Sequence, residues 1–284
     1  MEHVTTLVDT VEEAFRVCHT FDDDPPELVP TGIKALDNTV GGLGKGSAMI
    51  IGADTGVGKS TVCLLSMLNN MESGVRTGYV SCEDTADVVG CRILSHYSKV
   101  NSRNIRRKEL TKQDTTALEE ARSQVRALSE SEFSPVISYQ IGRPLTAVLD
   151  AVAALGDQGC ELVIVDYLQK IKGGHTERNI EVSRAFTSLQ GAVADIGAAL
   201  IAVSQVRRVL EPGKVPRRHH LKESGDLENE ARVILMLGKD LDGGTLGVLD
   251  KSTYGGEGLK VNWERTSWGG LKELPQGYIP EEEF

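Results

Sequence analysis

The stretch that decides the fold is residues 49–61, MIIGADTGVGKST. Its first residues are apolar, its centre is rich in glycine, and it runs into a segment, 60–71, with helical spacing of apolar residues. A phosphate group needs several converging backbone N–H donors without Cβ atoms in the way, and it gains from the positive end of a helix. The stretch therefore predicts a buried strand over 47–53, a phosphate-binding loop and a helix.

Two side chains of this loop carry specific chemistry. Lys59 can reach the β and γ phosphates of ATP, and the Ser60 hydroxyl can bind Mg²⁺. Ala53 stands where the strict motif has glycine, and a glycine turn with an incidental lysine is the alternative interpretation. The residues expected to contact the nucleotide are Ala53, Asp54, Thr55, Gly56, Val57, Gly58, Lys59, Ser60 and Thr61.

Outward from the loop, strand-like and helix-like segments alternate along the chain. Helices are predicted over 60–71, 84–97, 114–128, 145–155 and 180–196, and strands over 47–53, 77–82, 136–139, 162–166 and 199–204. This alternation predicts an α/β fold with a mainly parallel sheet and helices on both faces. After residue 230, Gly-rich turns separate strand-like segments at 233–237, 247–249 and 259–263, which we expect to add strands at one sheet edge.

The first 30 residues differ from the rest. Apolar residues recur at helical spacing at Leu7, Val11, Phe15 and Cys18, and an acidic stretch with two prolines follows at 22–26. We predict an N-terminal arm or linker helix over 1–30 and one ATPase domain over 31–284. A helix that packs on its own domain is the alternative for the arm.

Composition favours a cytoplasmic location. The chain has 284 residues, a net charge of −10 and five scattered cysteines without metal-ligand spacing. It has neither an apolar run of membrane-spanning length nor the pattern of a signal peptide, so we expect no membrane association. The acidic balance argues against a basic coat for nucleic acid but leaves room for a local basic groove.

Three polar residues follow predicted strands at the edge that would face the phosphate loop. Asp166 ends a strand and is expected to bind Mg²⁺, with a simple strand-end cap as the alternative. Glu83 is expected to orient the attacking water, although Asp84 beside it competes for that role. Gln205 is expected to sense the γ-phosphate.

Several segments together resemble one family. DYLQ at 166–169, VSQ at 203–205 and LKESGDLENEA at 221–231 are similar to motifs of DnaB-type hexameric replicative DNA helicases, as is CED at 82–84 with Arg92 further on. The resemblance places Arg92 at the nucleotide and accounts for Ala53, which is common there. It implies a RecA-like P-loop NTPase domain in a homo-oligomeric ring, usually a hexamer, that moves 5′ to 3′ on single-stranded DNA. It also implies primase or a helicase loader as partners, although residues 1–30 are too short for the family's N-terminal domain.

A basic segment lies after the strand that ends at Gln205. It carries Arg207, Arg208, Lys214, Arg217, Arg218 and Lys222 with two histidines, and within it Glu211 alone opposes them. Such a segment predicts salt-dependent binding of DNA phosphates, with a solvated charged loop as the alternative. The resemblance adds Glu223 and Gly225 to the DNA-binding residues. Residues 172–175 and Arg178 form a second candidate loop.

One position departs from the family. The resemblance aligns Lys251 with a lysine that acts on the neighbouring subunit's nucleotide, but Thr253 stands where the family has an arginine finger. Either another group such as Arg265 substitutes, or hydrolysis is slow, or this alignment is shifted.

The functional expectation is an ATP-driven DNA helicase of replication. A filament-forming recombinase and a RecA-like ATPase without a nucleic-acid role are the alternatives. The motif at 221–231 favours the helicase over the first, and the basic segment disfavours the second.

Overall fold

A computed structural model gives the structure of the protein. It describes residues 28–173, 178–206, 214–221, 227–240 and 243–275, together with Val8 and Val11. Most of the predicted N-terminal arm, 1–30, lies outside the described residues. Val8 and Val11 are helical and exposed, and the arm's last residues, 28–30, include a short strand, Leu28–Val29. No helix in these ranges is long and apolar enough to cross a membrane.

Eleven strands are present in the described part of the chain. They are β1 Leu28–Val29, β2 Leu43–Gly44, β3 Ala48–Ala53, β4 Thr77–Ser81, β5 Val136–Tyr139, β6 Leu162–Asp166, β7 Ala199–Gln205, β8 Val233–Lys239, β9 Thr245–Ser252, β10 Lys260–Arg265 and β11 Leu271–Glu273. The first two form a small antiparallel pair, and the other nine form one sheet in the order β11-β10-β9-β8-β3-β7-β6-β4-β5.

The sheet has the predicted mixed character. The six strands from β8 to β5 are parallel, and β9, β10 and β11 continue the sheet antiparallel at the β8 edge. One detail differs from the expectation. β8 belongs to the parallel part, because it pairs in parallel with β3, and the added antiparallel strands begin only with β9.

The helices of the described part cover both faces of the sheet. They are α1 Lys34–Val40, α2 Lys59–Glu72, α3 Ala86–Ser98, α4 Ser102–Arg107, α5 Lys112–Leu128, α6 Leu145–Asp157, α7 Arg178–Asp195 and α8 Leu227–Glu230, with short 3-10 turns at Leu168–Lys170 and Arg218–His220. The five helices predicted between residues 60 and 196 are present within a few residues, and the helix predicted in the N-terminal arm stays a prediction. The sequence patterns did not predict α1, α4, α8 or the short strands β1, β2 and β11.

Alternation along the strands divides the core into two layers. In β3, Met49 and Ile51 face a core that contains the buried side of α2 together with Trp263, whereas Ala48 and Ile50 face a second core formed with α6 and α7. Because both faces are covered, the carboxyl ends of the parallel strands stay accessible at one edge, where ligands bind in open α/β sheets.

One contact between a strand and a helix provides a test of this packing. A Cβ added to Gly78 in β4 would lie 2.6 Å from Cδ1 of Leu155, which is buried in α6. We expect Gly78→Ala to cost about 1–3 kcal/mol by overpacking, and Leu155→Ala to cost about 2–5 kcal/mol by leaving a cavity. The double variant should lose less free energy of unfolding than the two single variants together, because the methyl group added at position 78 fills part of the cavity left by Leu155→Ala. Urea unfolding measures all three, and strict additivity would contradict this packing.

Candidate nucleotide and nucleic-acid site

The loop between β3 and α2 has the shape of a phosphate cradle. Gly56 and Gly58 adopt positive φ angles of 78° and 117°, which side-chain-bearing residues rarely adopt. A Cβ at Gly56 would meet no atom within 4 Å, so the loop backbone there is open to a ligand. α2 begins directly after Gly58 at Lys59, which places the positive end of the helix beside the loop.

Lys59 is a buried cation. Its residue is only 8% exposed, and its Nζ lies 5.1 Å from the centroid of the Tyr167 ring. Within the described ranges its ammonium forms no salt bridge with a carboxylate. A buried ammonium without a close counter-ion is unfavourable, so an anionic group at this loop would be held strongly. This arrangement fits the phosphates of ATP.

Asp166 lies opposite the loop at the end of β6. The residue is 4% exposed, and the Tyr79 hydroxyl donates a hydrogen bond of 2.8 Å to its Oδ2. The other oxygen, Oδ1, is buried and has no hydrogen-bond partner among the described residues. Burial raises the pKa of Asp166, while the nearby Ser60 hydroxyl, the Tyr79 hydroxyl and Lys59 oppose that rise. This carboxylate, with one unpaired oxygen and the Ser60 hydroxyl nearby, fits a Mg²⁺ ion, whose preferred ligands are oxygens.

Glu83 and Asp84 have different surroundings. The Glu83 carboxylate lies 3.1 Å from Nζ of Lys170, and both side chains are almost half exposed, at 46% and 43%. Asp84 instead forms a salt bridge with Arg92 of α3, and its carbonyl accepts a hydrogen bond from Ser81. Glu83 therefore keeps an accessible carboxylate at the sheet edge, which favours it over Asp84 as the predicted base.

Arg92 has a second feature besides this salt bridge. It lines a cleft between α2, α3 and the start of β11, together with Thr61 in the first turn of α2. The structure thus brings the predicted nucleotide residue Arg92 to the same cleft as the first turn of α2, although its guanidinium is bound to Asp84.

Gln205 makes a direct contact with the phosphate loop. Its Nε2 donates a hydrogen bond of 2.9 Å to the Thr55 hydroxyl. Its backbone N–H donates to Oε1 of Gln169 at 3.0 Å, and the amide of Gln169 donates in turn to the Ser204 hydroxyl at 2.9 Å. Gln169 therefore joins the ends of β6 and β7. Gln205 is held in contact with Thr55, so a movement of the phosphate loop would displace it.

The predicted DNA-binding residues are described only in part. Arg207, Arg208, Lys222, Glu223 and Gly225 lie outside the described residues, as do residues 174–177 and the Arg178 side chain of the second candidate loop. Lys214, Arg217 and Arg218 are described, and Lys214 and Arg217 are exposed.

Acidic groups oppose these arginines more closely than the sequence suggested. Arg217 forms a salt bridge of 3.0 Å with Asp250, and Arg218 lies 3.9 Å from the Glu228 carboxylate. Two carboxylates from outside the segment thus oppose its arginines. Asp250 gave no signal in the sequence, because it comes to the segment from a distant strand.

Lys251 is far from the phosphate loop of its own chain. Its Nζ donates to the carbonyls of Glu228 at 2.5 Å and Asn229 at 3.2 Å. At the other end of the same strand, the Thr245 hydroxyl donates to the carbonyl of Val57 in the loop at 2.7 Å. The six residue steps from Thr245 to Lys251 span about 20 Å of strand. A catalytic role for Lys251 therefore requires the nucleotide of another subunit, and that role stays a prediction.

Thr253 and Arg265 lie at opposite ends of the added strands. Thr253 is exposed in the turn after β9, and its N–H donates to the carbonyl of Arg232. Arg265 is exposed at the end of β10, and its Nε donates to the carbonyl of Gly243 at 3.2 Å, close to where β9 touches the phosphate loop. Both positions are open to another subunit.

Comparison with known proteins identifies relatives of the chain. Residues 29–244 match the family described as DnaB-like helicase C terminal domain. The chain is 28% identical over 217 residues to a probable plasmid replicative DNA helicase of Chlamydia trachomatis, covering 75% of this chain and 47% of that protein. It is 26% identical over 245 residues to the replicative DNA helicase DnaB of Leifsonia xyli, covering 84% and 51%. The chain thus spans about half the length of these relatives.

Solved structures agree with the fold. A structure described as an ATPase domain matches with a TM-score of 0.81 at 19% identity, covering 96% of this chain and 100% of that one. A DnaB-like replicative helicase, described with its interactions with primase, matches with a TM-score of 0.79 at 19% identity, covering 96% and 68%. At this identity the structures support the RecA-like fold alone. The family match extends over most of the chain, and this protein belongs to the DnaB-like helicase C-terminal domain family.

Proposed function

We propose that this chain is the motor of an ATP-driven DNA helicase that assembles as a homo-oligomeric ring, a hexamer, and translocates 5′ to 3′ on single-stranded DNA during replication. It hydrolyses ATP with Mg²⁺ and has primase or a helicase loader as its protein partner. It works in the cytoplasm of a bacterial or phage-infected cell. The relatives named replicative DNA helicase support this proposal.

One observation carries the ATPase part of the proposal. A buried ammonium, Lys59, and a buried carboxylate, Asp166, face the same glycine-rich loop, and neither is neutralised by a close salt bridge in the described part of the chain. Two buried charges cost free energy unless a ligand compensates them. A nucleotide phosphate with its metal ion has the charges that compensate both.

Each residue of the site has a distinct role in this proposal. Lys59 and the loop N–H groups hold the β and γ phosphates, and Ser60 and Asp166 hold the metal ion. Bound Mg²⁺ neutralises charge on the phosphate oxygens. Glu83 accepts a proton from the attacking water and orients it, and its salt bridge with Lys170 fixes the carboxylate at the sheet edge.

Gln205 links the nucleotide to the DNA in this proposal. Its contact with Thr55 ties the end of β7 to the phosphate loop. The basic segment begins two residues later at Arg207, so a shift of Gln205 would be transmitted to the DNA-binding residues along a short length of backbone. Lys251, and Arg265 in place of an arginine at position 253, act on the nucleotide of the neighbouring subunit.

The deciding experiment measures ATP hydrolysis with and without single-stranded DNA, and strand separation of a forked duplex in the same reactions. For the wild type we expect DNA-stimulated hydrolysis and unwinding, and for Lys59→Ala the loss of both. Hydrolysis that ignores DNA, without unwinding by assembled rings, would leave only a RecA-fold ATPase and would refute the helicase proposal.

Glu83→Gln tests which acid is the base. We expect kcat for ATP hydrolysis to fall by about 10²–10⁴ with little change in nucleotide affinity, because the amide cannot accept the proton. The matched variant Asp84→Asn removes the partner of Arg92 and should lower kcat much less. Steady-state hydrolysis and binding of a fluorescent nucleotide measure both. A larger decrease in kcat for Asp84→Asn than for Glu83→Gln would identify Asp84 as the base.

Asp166→Asn tests the metal site. Nucleotide binding should lose its dependence on Mg²⁺, because the uncharged amide is a weak magnesium ligand. The folded pKa of Asp166 is raised, so the fold loses stability as pH rises from the unfolded pKa to the folded pKa, and this loss stays constant at higher pH. Removing that charge should therefore leave Tm at neutral pH unchanged or higher, since Tyr79 can still donate to the amide oxygen.

Asp150→Asn, at an exposed position of α6, is the matched control for the loss of one negative charge. Nucleotide titrations with and without Mg²⁺ and a thermal melt are sufficient for both variants. Unchanged Mg²⁺ dependence in Asp166→Asn would place the metal elsewhere.

A further inference from the structure

A β-bulge in β9 places Asp250 outside the regular pairing of the sheet. Ile234 of β8 pairs with Lys251, and the next residue, Leu235, pairs with Leu249, so Asp250 has no partner on β8. An extra residue of this kind bends a strand and redirects its side chains. Asp250 contacts Arg217, and Lys251 contacts Glu228 and Asn229. In the sequence these contacted residues lie on either side of the predicted DNA-binding residues Lys222, Glu223 and Gly225.

The Asp250 carboxylate binds two donors of the basic segment. Oδ1 accepts a hydrogen bond of 3.0 Å from Nη1 of Arg217, and Oδ2 accepts one of 2.7 Å from the backbone N–H of Arg218. The Asp250 carbonyl also accepts from Nη1 of Arg218 at 3.2 Å. The carboxylate therefore holds the start of the 3-10 turn Arg218–His220 and neutralises the guanidinium of Arg217.

A guanidinium and a backbone N–H that converge on one anion form the donor pair with which proteins bind nucleic-acid phosphates. The two partners differ in exposure, since the Asp250 side chain is 8% exposed and the Arg217 side chain is 65% exposed. The carboxylate is fixed on the strand, whereas the arginine can turn to solvent without loss of core contacts. A phosphate that approaches from solvent must compete with Asp250 for the same groups.

We propose that Asp250 is the positioning residue of the basic segment and that its carboxylate competes with DNA phosphate for Arg217, which sets the affinity for single-stranded DNA. The inference rests on the proposed function, because it requires the segment to bind DNA. It assigns Arg217 a role different from that of a permanent phosphate ligand. The charge of Asp250 restrains Arg217, and the hydrogen bond to the Arg218 N–H keeps the turn in place.

Asp250→Asn separates these two effects, because the amide oxygen can still accept from the Arg218 N–H while the charge is lost. With a short fluorescent oligo(dT), ATP and Mg²⁺, we expect this variant to bind about two- to five-fold more tightly than the wild type. This is the range of surface ion pairs, and the pair is open to solvent on its Arg217 side. The dependence of log affinity on log salt should steepen by about 0.7, the value for one more phosphate contact on a single strand.

Arg217 provides the second arm of the test. Arg217→Ala alone should change affinity less than two-fold and leave the salt slope unchanged, because the competing carboxylate already occupies this side chain. In the double variant Arg217→Ala/Asp250→Asn, the gain in affinity and in slope should disappear. Asp150→Asn controls for the change in net charge, and a thermal melt of each variant reports on folding.

Two outcomes would overturn the inference. One is an Asp250→Asn variant that folds and binds DNA with wild-type affinity and slope. The other, independent of how Asp250→Asn folds, is an Arg217→Ala variant that loses affinity and slope in the wild-type background. Both leave the proposed function standing when the wild type binds DNA in a salt-dependent way. If neither the wild type nor Asp250→Asn binds the oligonucleotide, the proposed function fails, and this inference fails with it.

Discussion

The hydrogen bond between Tyr79 and Asp166 beneath the phosphate loop is the contact on which the site depends. It joins β4 to β6 and fixes one oxygen of a buried carboxylate, whose other oxygen has no hydrogen-bond partner among the described residues. Burial of this carboxylate and of Lys59 on the same side of the sheet costs free energy that the two apolar layers must offset. The fold tolerates this cost at the carboxyl edge of the parallel strands, where a charged ligand can bind.

Most of the sheet was predictable, because its strands are apolar runs between segments of helical period. The missed elements are short and held by distant residues. The loop before α1 is one example. It is closed by Asp37 of α1, whose carboxylate accepts hydrogen bonds from the N–H groups of Thr31 and Gly32. The first turn of α1 donates to Glu273 of β11, more than 200 residues away. The local sequence pattern does not indicate such a contact.

The same distinction applies to the site. Asp166, Glu83 and Gln205 could be predicted because parallel strands bring their carboxyl ends to one edge, so position in the sequence implies position in space. Lys170 and Asp250 could not be predicted in this way. A 3-10 turn places Lys170 next to Glu83, and a β-bulge places Asp250 next to Arg217. Neither irregularity produces a periodic pattern in the sequence.

β9 connects the two halves of the site in a way that the order of motifs does not suggest. At its first residue, Thr245 donates to the carbonyl of Val57 in the phosphate loop, and near its last residues Asp250 and Lys251 hold the basic segment and the end of α8. β7 makes a second connection, since Gln205 touches Thr55 and the chain then enters the basic segment. Hydrogen-bonded strands are stiff compared with loops, so β9 and β7 each connect the phosphate loop with the segment that would bind DNA. Asp250 lies at the end of one of them, where the removal of a single charge changes the binding residues without altering the loop.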